Sequence, residues 1–264
     1  MNFKVLCVGD VVGNPGVERI CRSLPRLKRE IGADFVIVNG ENASMVGITP
    51  RQAEDIFDAG ADVVTLGNHC FGRREICDYL EDNSRILRPA NLAPQLPGRG
   101  WGVYESRWGD VAVIDLVGRC GMDFGPDNAF LQIDKILSQI KTKLILVEMH
   151  AEATSEKLAM AHMLDGRVSV VYGTHTHVPT ADAQILPKGT GYVTDLGMTG
   201  PAMSVLGIRP EQSIAKFRGD LTSRYQWAEG PTKLEAVAFT IDAATGRCVQ
   251  TERVDISDEN STRR

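Results

Sequence analysis

The sequence predicts an α/β fold of two packed mixed β-sheets flanked by helices, in a single domain over residues 1–256. Strand-like and helix-like apolar patterns alternate up to His177, as expected of parallel sheet covered by helices. Beyond His177, short strands joined by turn dipeptides take over, which adds antiparallel pairing. No internal repeat and no linker rich in Pro, Gly or Ser divides the 264 residues, a length sufficient for one large domain.

The elements follow in order. Phe3–Val8 reads as a buried strand. Val17–Ile31 has helical apolar spacing, with Pro25 predicting a kink or a split. Phe35–Asn39 is a second strand, running into Gly40-Glu41-Asn42. Thr49-Pro50 pairs an N-cap with proline at the first helical position, so a helix is expected over Arg51–Ala59. Val63–Leu66 is a third strand ending at Gly67-Asn68-His69, and Arg74–Asp82 is helical. Val111–Leu116 and Leu144–Met149 are strands separated by a helix near Leu131–Ile140. Glu156–Leu164 is helical and Val168–Tyr172 is a strand. Ala183–Leu186, Gly191–Thr194, Ala236–Ile241 and Cys248–Val254 are strands, with Lys188-Gly189 and Thr245-Gly246 as turns. Gly197–Gly207 is expected to be a loop serving as a wall or lid, and Ser257–Arg264 a frayed tail.

Composition narrows the function. A net charge of −5 suits long nucleic acid poorly, because that binding rests on Lys and Arg contacts to phosphate. A small anion stays acceptable where bound metals reverse the local field. The six cysteines (Cys7, Cys21, Cys70, Cys77, Cys120 and Cys248) contain no CxxC pair and suggest neither a zinc cage nor a disulfide framework. Cys7 and Cys21 are expected to be buried free thiols. Met1–Asp10 lacks a basic segment leading into a signal-length apolar core, and no stretch of about 18 apolar residues occurs. A cytoplasmic protein without membrane contact is expected.

Four of the five histidines fall in three motifs that each follow a strand-like run: Gly67-Asn68-His69, Glu148-Met149-His150 and Gly173-Thr174-His175-Thr176-His177. Gly9-Asp10 and Asn39-Gly40-Glu41-Asn42 follow two more. Strand C-terminal ends are where α/β proteins place their chemistry. Singly, each motif reads as a turn, a cap or a core histidine. Five in succession point to a metal site. Asp10 and Glu41 supply carboxylates, Asn42 and Asn68 amide oxygens, and His150, His175 and His177 nitrogens, a mixture suited to a pair of transition metals. In an extended segment His175 and His177 would point the same way and flank the pair. His69 directly follows Asn68, so its side chain points elsewhere, and its near-neutral pKa suits a proton donor to a leaving group. His162 has no motif around it and receives no role. The expected chemistry is hydrolysis of a small phosphodiester by hydroxide shared between the metals.

These residues also carry a resemblance. The strings Val8-Gly9-Asp10-Val11-Val12-Gly13, Val38-Asn39-Gly40-Glu41-Asn42-Ala43, Gly173-Thr174-His175-Thr176-His177-Val178-Pro179-Thr180-Ala181-Asp182 and Thr194-Asp195-Leu196-Gly197-Met198-Thr199-Gly200-Pro201 resemble the YmdB-like branch of the calcineurin-like metallophosphoesterase superfamily, from Phe3 to about Val254. The resemblance implies one metal held by Asp10, Glu41, Asn42 and His177, and another by Glu41, Asn68, His150 and His175, with Glu41 bridging and His69 as proton donor. It further implies 2′,3′-cyclic nucleotide substrates and iron or manganese in the sites; zinc or cobalt would also suit the ligands. The superfamily's usual Asp-x-His is Asp10-Val11-Val12 here, so Asn42 stands in for the missing histidine. Cys70-Phe71-Gly72 replaces a Thr-Trp-Asp-like string, which alters the pocket wall beside His69. Arg119, Arg209 and the Gly197–Gly207 loop are candidate substrate contacts. Trp101, Trp108 and Trp227 are candidates for a homo-oligomer contact, with core burial the default for each. The alternatives are a regulatory protein binding metal and nucleotide with weak turnover, and a phosphomonoesterase or nucleotidase on the same core.

Overall fold

The computed structural model describes residues 2–122, 125–221 and 224–258. The first half runs β1 (Asn2–Val8), β2 (Asp10–Val11), α1 (Gly13–Ile31), β3 (Phe35–Asn39), α2 (Pro50–Asp58), β4 (Val63–Thr65), α3 (Ile76–Asp82), β5 (Ile86–Leu87), β6 (Trp101–Tyr104), β7 (Val111–Val117) and α4 (Ala129–Leu137). The second half runs β8 (Leu144–His150), α5 (Thr154–Leu164), β9 (Val170–Thr174), β10 (Gln184–Ile185), β11 (Gly191–Val193), β12 (Met198–Pro201), α6 (Pro210–Phe217), β13 (Thr232–Asp242) and β14 (Arg247–Ser257).

Among the described residues these strands make two mixed sheets, as the sequence predicts. One has the order β2-β12-β13-β1-β3-β4-β5, with β14 paired to β13; the other has the order β10-β11-β9-β8-β7-β6. β1, β3, β4 and β5 are parallel, while β13 runs antiparallel to β1, from Asn2 opposite Asp242 to Val8 opposite Ala236. In the second sheet β7, β8 and β9 are parallel.

Strand alternation sorts the apolar residues into three layers. Val5 and Cys7 of β1 enter the layer between the sheets with Val111, Val113, Leu146 and Phe239. Leu6 and Val8 face the opposite way, against Ile20, Leu24 and Leu27 of α1 and Ile56 of α2. On the far side, Ala112 and Ile114 of β7 pack against Ile133 and Ile136 of α4 and Met160 and Leu164 of α5. Sheets buried on both faces explain why the strands read as continuous apolar runs. The parallel strands end along one edge of the sandwich, and that edge carries the polar motifs.

The start of α2 matches its sequence signal, with Thr49 and Gln52 forming a reciprocal capping box ahead of Pro50. Several other expectations are corrected. α1 passes through Pro25 without a break. A proline inside a helix costs about 3 kcal/mol, and the buried stripe of Ile20, Leu24 and Leu27 on the sheet outweighs it. Cys21 is exposed, because it lies one helical position round from the buried Ile20. The Gly197–Gly207 segment is no simple lid. Met198–Pro201 forms the buried strand β12, paired with β2 on one side and β13 on the other. Trp101, Trp108 and Trp227 are half-buried. Ser257 belongs to β14, and Asp258 accepts the Thr232 backbone N–H at 2.7 Å; the remaining tail lies outside the described residues. Among the described residues, no helix is long and apolar enough to cross a membrane.

Two phenylalanines test the layering. Phe239 is wholly buried between the sheets, whereas Phe217 on α6 is 85% exposed. Phe239→Ala is expected to lower stability by about 3–5 kcal/mol in urea unfolding, and Phe217→Ala by no more than about 0.5 kcal/mol. Equal losses would contradict the assignment of layers.

Candidate metal centre

Five strand ends deliver the side chains singled out in the sequence. Gly9 turns the chain from β1 into β2, where Asp10 is wholly buried. A Cβ on Gly9 would lie 2.2 Å from the Gly197 carbonyl oxygen, so this approach needs glycine. Glu41 and Asn42 follow β3, and Asn68 and His69 follow β4. His150 is the last residue of β8, and His175 comes directly after β9. At Gly67 a Cβ would fall 2.4 Å from both Glu41 Oε2 and His150 Nε2, so the missing side chain is what lets those two groups meet.

Glu41 is the hub. Its Oε1 accepts from Asn42 Nδ2 at 2.9 Å, and lies 3.2 Å from His150 Nε2 and 3.4 Å from His69 Nδ1. Its Oε2 accepts the His69 backbone N–H at 3.0 Å. Burial alone would raise this carboxyl, but His150 and His69 outweigh it and hold Glu41 well below the usual carboxylate range. The hydrogen bond to Glu41 raises His69 in return. His69 is also the most exposed imidazole of the four, at 34%. It sits where an incoming molecule can touch it.

His150 Nε2 is crowded by three polar atoms: Asn68 Oδ1 at 2.9 Å, His175 Nδ1 at 3.1 Å and Glu41 Oε1 at 3.2 Å. A ring nitrogen carries at most one hydrogen and cannot satisfy all three. Burial works against a charged ring here, yet Glu41 and Asp10 push His150 up to about 9. The site therefore demands positive charge at this point, and a divalent cation would answer all of these donors together. Glu41, His150 and His175 each offer a ligand atom within 4.8 Å of the others. Burial, then the charge on His150, pushes His175 down to about 3, so its nitrogens are free of an extra proton.

Asp10 and His177 close the other side. Asp10 Oδ2 accepts the His175 backbone N–H at 3.2 Å. Among the described residues its buried Oδ1 has no hydrogen-bond partner, and His177 Nε2 is 3.7 Å away. Burial pushes the Asp10 carboxyl up to about 7, and pushes His177 down to about 4. Asn42 presents Nδ2, not its oxygen, to His177 at 3.1 Å. The Nδ2 amino group faces both Glu41 and His177 while Oδ1 lies 3.0 Å from His69 Nδ1, so holding a cation through Oδ1 would need a half-turn of the amide. The donor set, with its unpartnered Asp10 oxygen and crowded His150 nitrogen, otherwise fits metal binding.

The histidine pair does not lie in an extended segment. His175 has φ 94° and His177 φ 62°, both left-handed. Thr176 between them is pinned by two donations to Asp195 Oδ2, from its N–H at 3.2 Å and its Oγ1 at 2.8 Å. Asp195 is itself paired with buried Lys157 at 2.8 Å. The turn sends His175 toward His150 and His177 toward Asp10 and Asn42.

Sequence reasoning missed the residues beneath this cluster. Glu148 Oε1 accepts from Asn39 Nδ2 at 2.6 Å and from Thr174 Oγ1 at 2.7 Å. Asn39 Oδ1 in turn accepts the Glu41 backbone N–H at 3.1 Å. Thr174 has one proton and gives it to Glu148, so its oxygen receives the His150 Nδ1 hydrogen at 2.9 Å. That fixes the tautomer with the Nε2 lone pair facing the cluster whenever the ring is neutral. A signal was present: Glu148 and His150 sit two apart on one side of an otherwise apolar strand. Arg119 and His162 are exposed, Arg209 pairs with Glu229 at 2.6 Å, and none of the three joins the cluster.

The model of the family described as YmdB-like protein matches residues 6–254. A 2′,3′-cyclic-nucleotide 2′-phosphodiesterase of Bacillus subtilis is 42% identical over 263 residues, covering 98% of both chains. The crystal structure of a novel phosphatase from Mycoplasma pneumoniae superposes with a TM-score of 0.92 at 34% identity, covering 97% of this chain and 94% of that one. A Staphylococcus aureus protein provisionally named a 5′-nucleotidase shares the fold alone, with a TM-score of 0.62 at 17% identity over 96% of this chain and 54% of its own. The chain belongs to the YmdB-like family of the calcineurin-like metallophosphoesterase superfamily.

Proposed function

We propose that the protein is a dinuclear metal-dependent phosphodiesterase acting on small diesters, 2′,3′-cyclic nucleotides among them. One observation carries the reading: the buried His150 Nε2 meets Asn68 Oδ1, His175 Nδ1 and the ionised Glu41 carboxylate at 2.9–3.2 Å, and a multivalent cation would answer all of these groups together. The 42% identical Bacillus relative, named for 2′,3′-cyclic nucleotides, supports the substrate class. Asp10, Glu41, Asn42 and His177 would hold one ion, and Glu41, Asn68, His150 and His175 the other. Iron or manganese suits this mixture of oxygen and imidazole ligands.

When bound, the metal pair supplies positive charge to the phosphoryl oxygens and lowers the pKa of water. The chain's own residues do the rest. Glu41, kept ionised, joins the two halves of the ligand set. Glu148, through Thr174 and Asn39, orients His150 and Glu41 from below. His69, raised by Glu41 and open to solvent, donates a proton to the departing alkoxide.

Two substitutions test this. Glu41→Gln is expected to remove bound metal and abolish hydrolysis of bis-p-nitrophenyl phosphate while circular dichroism stays unchanged; undiminished turnover would rule out the bridging role. Thr174→Val removes the hydroxyl between Glu148 and His150. It should weaken manganese binding, measured by calorimetry, by about 10–100-fold, and unaltered affinity would show that the relay does not orient His150.

A further inference from the structure

A cavity of about 390 Å³ opens beside His69; Cys70-Phe71-Gly72 line it, and Asp10 and His177 do not. Phe71, Leu92, Pro94, Leu96, Val117 and Pro126 give it an apolar wall. Among the described residues none of its lining side chains is lysine or arginine; its ionisable groups are His69, Asp127 and the buried Cys70 thiol. The volume falls within the range of small-molecule sites, about 300–1,000 Å³.

We infer that this cavity receives the uncharged planar group of the substrate, a nucleobase, and so sets the enzyme's preference among phosphodiesters. The inference rests on the phosphodiesterase reading and extends it to the organic half of the molecule. In hydrolysis the water oxygen bonds to phosphorus and one water proton passes to solvent. The bond from phosphorus to the leaving oxygen breaks, and that oxygen takes its proton from His69. The leaving oxygen must therefore lie next to His69, and whatever is attached to it extends into the space on that side. That space offers apolar surface and the half-buried Phe71 ring, against which a planar base can stack. Among the described residues it offers no lysine or arginine for a further phosphate, and the Asp127 carboxylate repels one. A monoanionic cyclic nucleotide fits; the same nucleotide bearing a 5′-phosphate is disfavoured.

The test compares kcat/KM of the manganese-loaded enzyme for adenosine 2′,3′-cyclic phosphate and for ribose 2′,3′-cyclic phosphate, which lacks the base. The wild type is expected to prefer the adenosine compound by about tenfold or more. Phe71→Ala and Leu96→Asp should each bring that ratio toward one. Leu96 is partly exposed, so its variant keeps the test open if Phe71→Ala fails to fold. A wild-type ratio near one, or a ratio that both variants preserve, would overturn the inference. Saturation-transfer NMR of adenosine with metal-free protein gives a second reading, expected positive in the wild type and weakened in Leu96→Asp. Absence of adenosine binding would also count against the cavity. Turnover of neither diester by the wild type would instead defeat the phosphodiesterase reading and leave the NMR result to judge the cavity.

Discussion

Glu41 keeps an ionised carboxylate out of water, and an uncompensated buried charge costs several kcal/mol. The fold compensates it with groups drawn from three chain segments: the Asn42 amide, the His69 backbone N–H and ring, and the His150 ring. β3, β4 and β8 must end at matched heights for these groups to meet. Gly67 must lack a side chain for the same reason. The parallel register of both sheets is thus coupled to one carboxylate.

Beneath it lies a second tier of polar groups between the apolar layers. Glu148 ties Asn39 of β3 to Thr174 of β9, so the two sheets are joined by hydrogen bonds as well as by apolar packing. Lys157 and Asp195 do the same for the histidine turn, holding Thr176 so that the flanking residues adopt left-handed backbone. Such positions cost about 1–3 kcal/mol each, and they persist because the surrounding bonds leave the turn no alternative. The stability of the fold and the geometry of the site are in this sense one problem.

Much of this was legible in the chain. Strand ends announced themselves because apolar runs stop at glycine followed by Asp, Glu, Asn or His, and the helix at Pro50 declared its start through Thr49 and Gln52. β12 was hidden, since four residues that include Gly200 and Pro201 show no alternation, and pairing from both sides is what makes them a strand. α6 was hidden because its eight residues offer only Ile214 and Phe217 as large apolar side chains, and both stay in solvent while only Ser213 is buried. The left-handed turn at His175 and His177 depends on Asp195, a later residue whose contact with Thr176 no local pattern reveals. Glu148 was visible but read as a neighbour of His150, because its partners Asn39 and Thr174 lie on other strands.

The proposed phosphodiesterase requires a pair of cations shared across Glu41. Crystals grown with manganese and measured at wavelengths either side of its absorption edge test this most directly. Two anomalous peaks about 3.5–4 Å apart, flanking the Glu41 carboxylate with His150 and His175 on one side and Asp10 and His177 on the other, are the expected result. A lone peak, or none within reach of Glu41, would contradict it.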